Sequence, residues 1–375
     1  MSKLEQLIEG LCPNGVECVQ LSKVLDYEQP TKYIVADTNY NDCFEIPVLT
    51  AGQSFILGYT NENDGIYSAS KENPTIIFDD FTTSFHWVDF NFKIKSSAMK
   101  MLRVKPEKNK EVLLRYVYHC MKNMRYEPVD HSRQWIAKYS IFTIPLPPLP
   151  VQSEIVRILD NFTELTAELT AELTAELTDR KKQYEYYRDV LLSNYDVQNV
   201  QTMCLGDIYD FKYGTGNTIP TDGGIYPVYG SNGIVGSHHE YNSENAPVIG
   251  HIGAYAGIVN WAEGKHFVTY NGIICKYKNS NVDYKFAYYL LLIQDFGSKA
   301  KNSSQPFVSY DVLKTPEVLI PPLAEQQRIV SILDRFDALC NDISKGLPAE
   351  IDERQKQYEY YRDKLLTFSE ANIEV

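Results

Sequence analysis

Gln183-Tyr184-Glu185-Tyr186-Tyr187-Arg188-Asp189 recurs letter for letter at Gln357-Tyr358-Glu359-Tyr360-Tyr361-Arg362-Asp363, an offset of 174 residues. Upstream of both copies, Pro147-Pro148-Leu149 followed by Ile155, Val156, Ile158, Leu159, Asp160 and Phe162 matches Pro321-Pro322-Leu323 followed by Ile329, Val330, Ile332, Leu333, Asp334 and Phe336 at the same offset. A constant offset without gaps marks a tandem duplication, and such a repeat sets the architecture before any local pattern is read. Each unit is a variable globular region, a Pro-Pro step and a long helix. The expected boundaries are 1–146 for the first head, 147–195 for the first long helix, 196–320 for the second head and 321–375 for the second helix.

The helices follow from periodicity. A Pro pair can open a helix, and Ile155, Leu159, Phe162, Leu165, Leu169, Leu173, Leu177, Tyr184, Tyr187 and Leu191 then recur mainly at steps of three, four or seven. In the second copy Ile329, Leu333, Phe336, Leu339, Ile343, Leu347 and Ile351 mirror the stripe, with a break expected at Lys345-Gly346-Leu347-Pro348. A stripe this long needs a partner, and its own duplicate is the obvious one. The expected fold is therefore α+β: two globular heads separated by two long antiparallel helices forming a coiled coil, as a pseudo-twofold tandem repeat. Ile155, Leu159, Phe162, Leu169, Leu173, Leu177, Ile329, Leu333, Phe336, Ile343 and Leu347 are its expected packing residues.

Thr166-Ala167-Glu168-Leu169 repeats at Thr170–Leu173 and Thr174–Leu177 in the middle of the first helix. One such unit lengthens a helix by about 6 Å and rotates the downstream chain by about 40° beyond a full turn, close to the step of one DNA base pair. Glu164, Glu168, Glu172 and Glu176 give that stretch an acidic ridge, expected to face solvent or another subunit.

The rest of the composition narrows the class. The chain has 375 residues, 44% of them hydrophobic, which is enough for two domains with cores of their own. Seven cysteines with no C-x-x-C pair suggest neither a disulfide framework nor a zinc site. No apolar run reaches membrane-span length and the start lacks the order of a signal peptide, so a cytoplasmic protein is expected. The net charge of -13 opposes DNA binding at first sight, yet residues 91–125 hold ten Lys or Arg against two Glu, and residues 265–301 hold six Lys against two Asp. These basic islands also lie 174 apart.

The duplicated plan, the ILDNF and AEQQRIVSILDRF phrases, the TAEL repeats and QYEYYRD twice together resemble the specificity subunits of type I restriction-modification systems. The resemblance covers essentially the whole chain. It implies that each head is a target recognition domain reading half of a split double-stranded DNA sequence. It also implies that the helices set the gap and dock two methyltransferase subunits, with restriction/motor subunits joining them. No catalysis is expected in this chain, and S-adenosylmethionine is expected in the methyltransferase subunits. Differing heads imply an asymmetric target.

No catalytic or metal constellation competes with this reading. The Phe211–Gly216 stretch has a lone G-x-G, Glu263-Gly264-Lys265 lacks the rest of a nuclease site, and His238, His239 and His251 have no ligands at regular spacing. A second class of function remains, a coiled-coil scaffold whose heads bind proteins, motivated by the acidic total.

Base reading needs Arg or Lys for guanine, Asn or Gln for adenine, and small hydroxyls or apolar groups for thymine methyls. Two loops in matching places before the Pro-Pro steps carry such residues: His131, Ser132, Arg133 and Gln134 in the first head, and Lys299, Lys301, Asn302, Ser303, Ser304 and Gln305 in the second. Gln53, Ser54, Thr82 and Thr83 add to the first set, and Tyr229, Ser231, Asn232 and His251 to the second. Asp79-Asp80 is either an acceptor for cytosine or a turn. Lys93, Lys95, Lys100, Lys105, Lys276 and Lys278 are assigned to phosphates.

Overall fold

The computed structural model describes residues 2–52, 54–130, 132–193, 195, 197–216, 223–301, 304–341 and 346–369. Gln53, His131, Asn302, Ser303 and Ile343 lie outside them. The chain divides into two compact units, 1–171 with 352–375 and 172–351, so each unit takes parts of both long helical segments.

Unit 1 begins with α1 (Lys3–Leu11), capped by Ser2 and Glu5 as a capping box. After it come β1 (Cys18–Gln20), the single turn α2 (Leu21–Val24), β2 (Leu25–Glu28), β3 (Ile46–Leu49), β4 (Ile56–Thr60), β5 (Thr75–Asp79), β6 (Phe85–Val88), β7 (Lys93–Ile94), β8 (Met99–Val104), α3 (Leu114–Asn123) and β9 (Thr143–Pro145). The strands form an antiparallel sheet in the order β2-β8-β5-β6, a three-stranded sheet β4-β3-β7 and the pair β1-β9. Leaving the head, the chain enters α4 (Leu149–Ser193), opened by the Pro148 carbonyl accepting from Val151 N and Gln152 N.

Unit 2 repeats the plan with β10 (Gln201–Cys204), α5 (Leu205–Ile208), β11 (Tyr209–Tyr213), β12 (Tyr226–Tyr229), β13 (Ile234–His238), β14 (Ser243–Gly250), β15 (Val259–Val268), β16 (Gly272–Tyr277), α6 (Tyr284–Leu292), α7 (Tyr310–Lys314) and β17 (Glu317–Ile320). Here one six-stranded sheet runs β11-β16-β14-β15-β12-β13. The difference from unit 1 lies in a single strand. In unit 2 the ten-residue β15 pairs antiparallel with β14 and, at its end, parallel with β12. In unit 1 the same two roles fall to β6, antiparallel to β5, and β7, parallel to β3. The helical segments after the second Pro-Pro step are α8 (Leu323–Asn341) and α9 (Leu347–Leu365), with Pro348 in the first turn of α9, where a Pro costs no helical hydrogen bond.

The feet of the long helices complete the cores of the heads. Val151, Ile155 and Leu159 are fully buried against Tyr116, Val117, Met121 and Ile144 in unit 1, and Ile329 and Leu333 against Phe286, Leu290, Leu313 and Ile320 in unit 2. Burial of each such side chain contributes about 1.5–3 kcal/mol, which fixes the direction in which the helix leaves the head. Further along, Phe162 of α4 packs on Tyr361 of α9 at 5.9 Å in unit 1, and Phe336 of α8 packs on Tyr187 of α4 at 6.2 Å in unit 2. These are one contact seen twice, with the two repeats exchanging roles at the offset of 174. Leu169, Leu173, Leu177 and Leu347 are half-buried. Glu164, Glu168, Glu172 and Glu176 are exposed, and Arg180 pairs with Glu176 one helical turn on. No helix among the described residues is long and apolar enough to cross a membrane.

Candidate nucleic-acid interface

In each head the residue just past the central strand is a node. After β5, Asp80 N donates to Ala98 O at 2.9 Å and Asp80 O accepts from Gln134 N at 2.7 Å. After β14, His251 N donates to Asn271 O at 2.8 Å and His251 O accepts from Val308 N at 2.9 Å. The same backbone connections thus tie the end of the central strand to the loop that precedes each Pro-Pro step. That is where the sequence placed the reading loops.

In the first head the loop is locked by its own side chains. Asp130 accepts from Ser132 N at 3.0 Å, from Ser132 Oγ at 2.5 Å and from Lys138 Nζ at 3.0 Å. The Ser132 hydroxyl foremost, then Lys138, hold its carboxyl well below the ordinary carboxylate range. Gln134 corrects the sequence reading. It is 0% exposed, donates to Ser132 O at 2.6 Å and accepts from Tyr126 Oη at 2.7 Å, so its amide serves the loop and is not presented to a base. Arg133 remains exposed. Thr83 is also turned inward, at φ 58 with its hydroxyl donating to Thr82 O, whereas Thr82 and Ser54 are exposed. Asp79 is a turn residue, accepting from Phe81 N and Thr82 N, and the buried Asp80 accepts from Trp135 N at 2.8 Å.

The second head presents a different surface on the same frame. His251 is buried, with Nδ1 3.0 Å from Tyr270 O and its ring 4.3 Å from that of Tyr213, so it is a packing residue and not a reader. Tyr229 is buried edge-on against His266, and the Ser231 hydroxyl lies within reach of Ile252 O at 2.8 Å and Asn271 O at 3.0 Å. Gly250 leaves no room for close approach from outside, because a Cβ there would meet Tyr255 O at 2.2 Å and Ser231 O at 2.5 Å. Asn232, Lys299, Lys301, Ser304 and Gln305 are exposed.

Two of the cations assigned to phosphates are spent internally. Lys93 is 3% exposed and pairs with Glu62 at 2.6 Å; Lys100 is 1% exposed and pairs with Asp80 at 3.1 Å. Neither reaches a phosphate, because a buried ammonium without its carboxylate would lose its compensation for desolvation. Lys278 is exposed and pairs with the exposed Asp210 at 2.8 Å, Lys95 and Lys276 are exposed, and Lys105 is half-buried. No group of three or more His, Cys, Asp or Glu able to hold a metal ion occurs among the described residues.

The model of the type I restriction modification DNA specificity domain matches residues 13–179 and again 198–353. The chain belongs to this family. It is 43% identical over 408 residues to the Escherichia coli EcoR124I/EcoR124II type I restriction enzyme specificity subunit, covering 98% of this chain and 97% of that protein. A putative type I specificity subunit of Haemophilus influenzae is 33% identical over 403 residues, with 98% of each chain covered. Among solved structures, a chain from a study of complex assembly and conformational transition of the type I R-M system superposes with TM-score 0.64 at 17% identity, covering 95% of this chain and 98% of that one. That likeness concerns the fold.

Two internal devices of this specificity-domain pair escaped the sequence reading. Gln152 and Gln326, 174 apart, are buried where each long helix joins its head. Gln152 accepts from Leu113 N at 2.9 Å and donates to Glu111 O and Pro147 O, both at 2.7 Å. Gln326 accepts from Asp283 N at 2.6 Å and donates to Pro321 O at 2.8 Å and Asn281 O at 3.4 Å. Further along, Asp160 accepts from Arg115 Nε at 2.9 Å and lies 2.8 Å from His119 Nε2, while Asp334 accepts from Tyr289 Oη at 2.5 Å with Lys285 at 3.9 Å. Burial pushes the Asp160 carboxyl up, and His119 with Arg115 outweighs it, leaving the group below its ordinary value. Arg115 lies over Trp87 and Lys285 over Trp261, 174 residues away. Only the identity of Gln152 with Gln326, and of Asp160 with Asp334, signalled these sites in the sequence.

Proposed function

We propose that this chain is the DNA sequence-recognition subunit of a type I restriction-modification complex, each head reading one half of a split, asymmetric double-stranded target. The observation that carries the reading is a shared frame with exchanged surfaces. Both heads hang the same loop from the same node by the same backbone hydrogen bonds, yet the node and the outward residues differ, Asp80 with Arg133 in one and His251 with Lys299, Lys301 and Gln305 in the other. A molecule built to bind one target twice has no need of that difference. The long helices set the gap and dock two methyltransferase subunits, to which restriction/motor subunits add. S-adenosylmethionine and the chemistry belong to those partners, and this chain supplies selectivity. Ser54, Thr82, Ser132 and Arg133 in the first head, with Asn232, Lys299, Lys301, Ser304 and Gln305 in the second, are the exposed candidates for contacts with DNA.

The test is a genome-wide map of methylated adenines in cells making this chain with its methyltransferase partner. A bipartite, asymmetric motif with a fixed gap is expected. A palindromic motif would sink the claim that the heads read different bases, and no motif despite an assembled complex would favour the protein-binding scaffold.

A further inference from the structure

Beneath the first head's loop lies a buried charge that packing alone does not require. Asp80 is fully buried: its Oδ1 accepts from Trp135 N at 2.8 Å, and its Oδ2, which makes no hydrogen bond, lies 3.1 Å from Lys100 Nζ and 3.8 Å from Arg133 Nη1. Lys100 is itself buried, its ammonium 4.7 Å from the Tyr27 ring centroid. A well-packed apolar pair at these positions would often be no less stable, so the buried ion pair is weak evidence for stability and points to a role in geometry. The polar neighbours of Arg133 are occupied within the loop, Ser132 and Lys138 by Asp130 and Gln134 by Ser132 and Tyr126. Arg133 is 54% exposed and Ile136, close by in the same loop, is 60% exposed.

We propose that Asp80 is a positioning residue for base reading, its buried charge drawing the Arg133 guanidinium toward the loop for guanine while Ile136 faces the adjoining base pair. The proposal rests on the DNA-recognition reading above. A guanidinium biased by the charge of an anchored carboxylate samples fewer orientations before binding, which favours bidentate recognition of guanine N7 and O6 in the major groove. Ile136 is suited to a thymine methyl. The second head supports the assignment by contrast. Its node is His251, the residue hydrogen-bonded to it is Val308, and the residue before that is Phe307, so where the outward Arg is absent the carboxylate is absent too.

The experiment uses the assembled methyltransferase complex and duplexes carrying the mapped motif with each base pair replaced in turn. Equilibrium affinities are measured for wild type, Arg133→Ala, Asp80→Asn and the double variant. Arg133→Ala is expected to reduce discrimination at one G·C pair of one half-site by roughly 10- to 100-fold. Asp80→Asn should reduce it at that same pair, the double variant should lose no more than Arg133→Ala alone, and the other half-site should keep its full discrimination. Because Asp80→Asn strands Lys100, the combination Asp80→Asn with Lys100→Met removes both buried charges and should show the same localised loss. A uniform loss over all duplexes, losses that multiply in the double variant, or an unaltered G·C pair in Arg133→Ala each overturn the proposal and leave the recognition reading standing. A wild-type complex that prefers none of the duplexes overturns both.

Discussion

Gln152 and Gln326 each serve three backbone groups, the buried carbonyl of Pro147 or Pro321, a second, partly buried carbonyl, and the partly buried N–H that starts the packed head helix. Leaving a buried polar group unsatisfied costs about 1–3 kcal/mol, so Gln326→Leu is expected to lower the stability of its unit by roughly 2–4 kcal/mol, and Gln152→Leu comparably. Urea denaturation tracked by helix signal reads this; a change below about 0.5 kcal/mol would mean the groups find other partners. A second prediction concerns acid. Glu154 near the start of α4 is held by Arg157 first and Lys3 second, and its carboxyl is pulled down to about 2. A depressed folded pKa contributes stability that is present above the unfolded value, near 4.5, and is lost as pH falls toward 2. Glu154→Gln should therefore flatten the stability profile between those limits, with the largest difference from wild type above about pH 5. Parallel profiles offset by a constant would show that Glu154 is not what titrates.

At the scale of elements, the TAEL units lie in an uninterrupted stretch of α4 and the division between the compact units falls among them, after Ala171. Deleting Thr170–Leu173 keeps the leucine step of four while removing about 6 Å of helix and about 40° of rotation. The mapped motif should keep both half-sites and change its gap by about one base pair; an unchanged gap would show that the helices do not set it. The long elements were legible because periodicity, the Pro-Pro step and exact repetition all live in the local sequence. The start of α3 was not. A tight turn over Pro106–Lys108 occupies the approach and the helix begins at Leu114, with Leu113 N satisfied by Gln152, 39 residues downstream. The exposure of the candidate readers depends on such distant partners. Arg133 and Gln134 are adjacent in sequence, and only the folded loop turns one out and the other in. Lys93 and Lys100 looked like phosphate ligands for the same reason, their carboxylate partners being 31 and 20 positions away.

At the scale of the whole molecule, charge and partners are linked. The chain carries -13, and Lys93 and Lys100 are consumed inside the first head by Glu62 and Asp80, while Arg115 and Lys278 pair nearer the surface with Asp160 and Asp210. The cations left for DNA are fewer than the two basic islands suggest, and the function proposed above therefore assigns most of the phosphate neutralisation to the partner subunits. Each phosphate neutralised contributes a slope of about 0.9 to the fall of log K with log salt. The chain alone should bind DNA weakly, with a slope equivalent to only a few phosphates, and the assembled complex should bind the same duplex tightly with a much steeper one. Fluorescence anisotropy across a salt series separates the two contributions. Tight, site-selective binding by the chain alone, with the slope of the complex, would show that the heads carry enough free cations by themselves and would move the role of the partners from enclosing the duplex to chemistry alone.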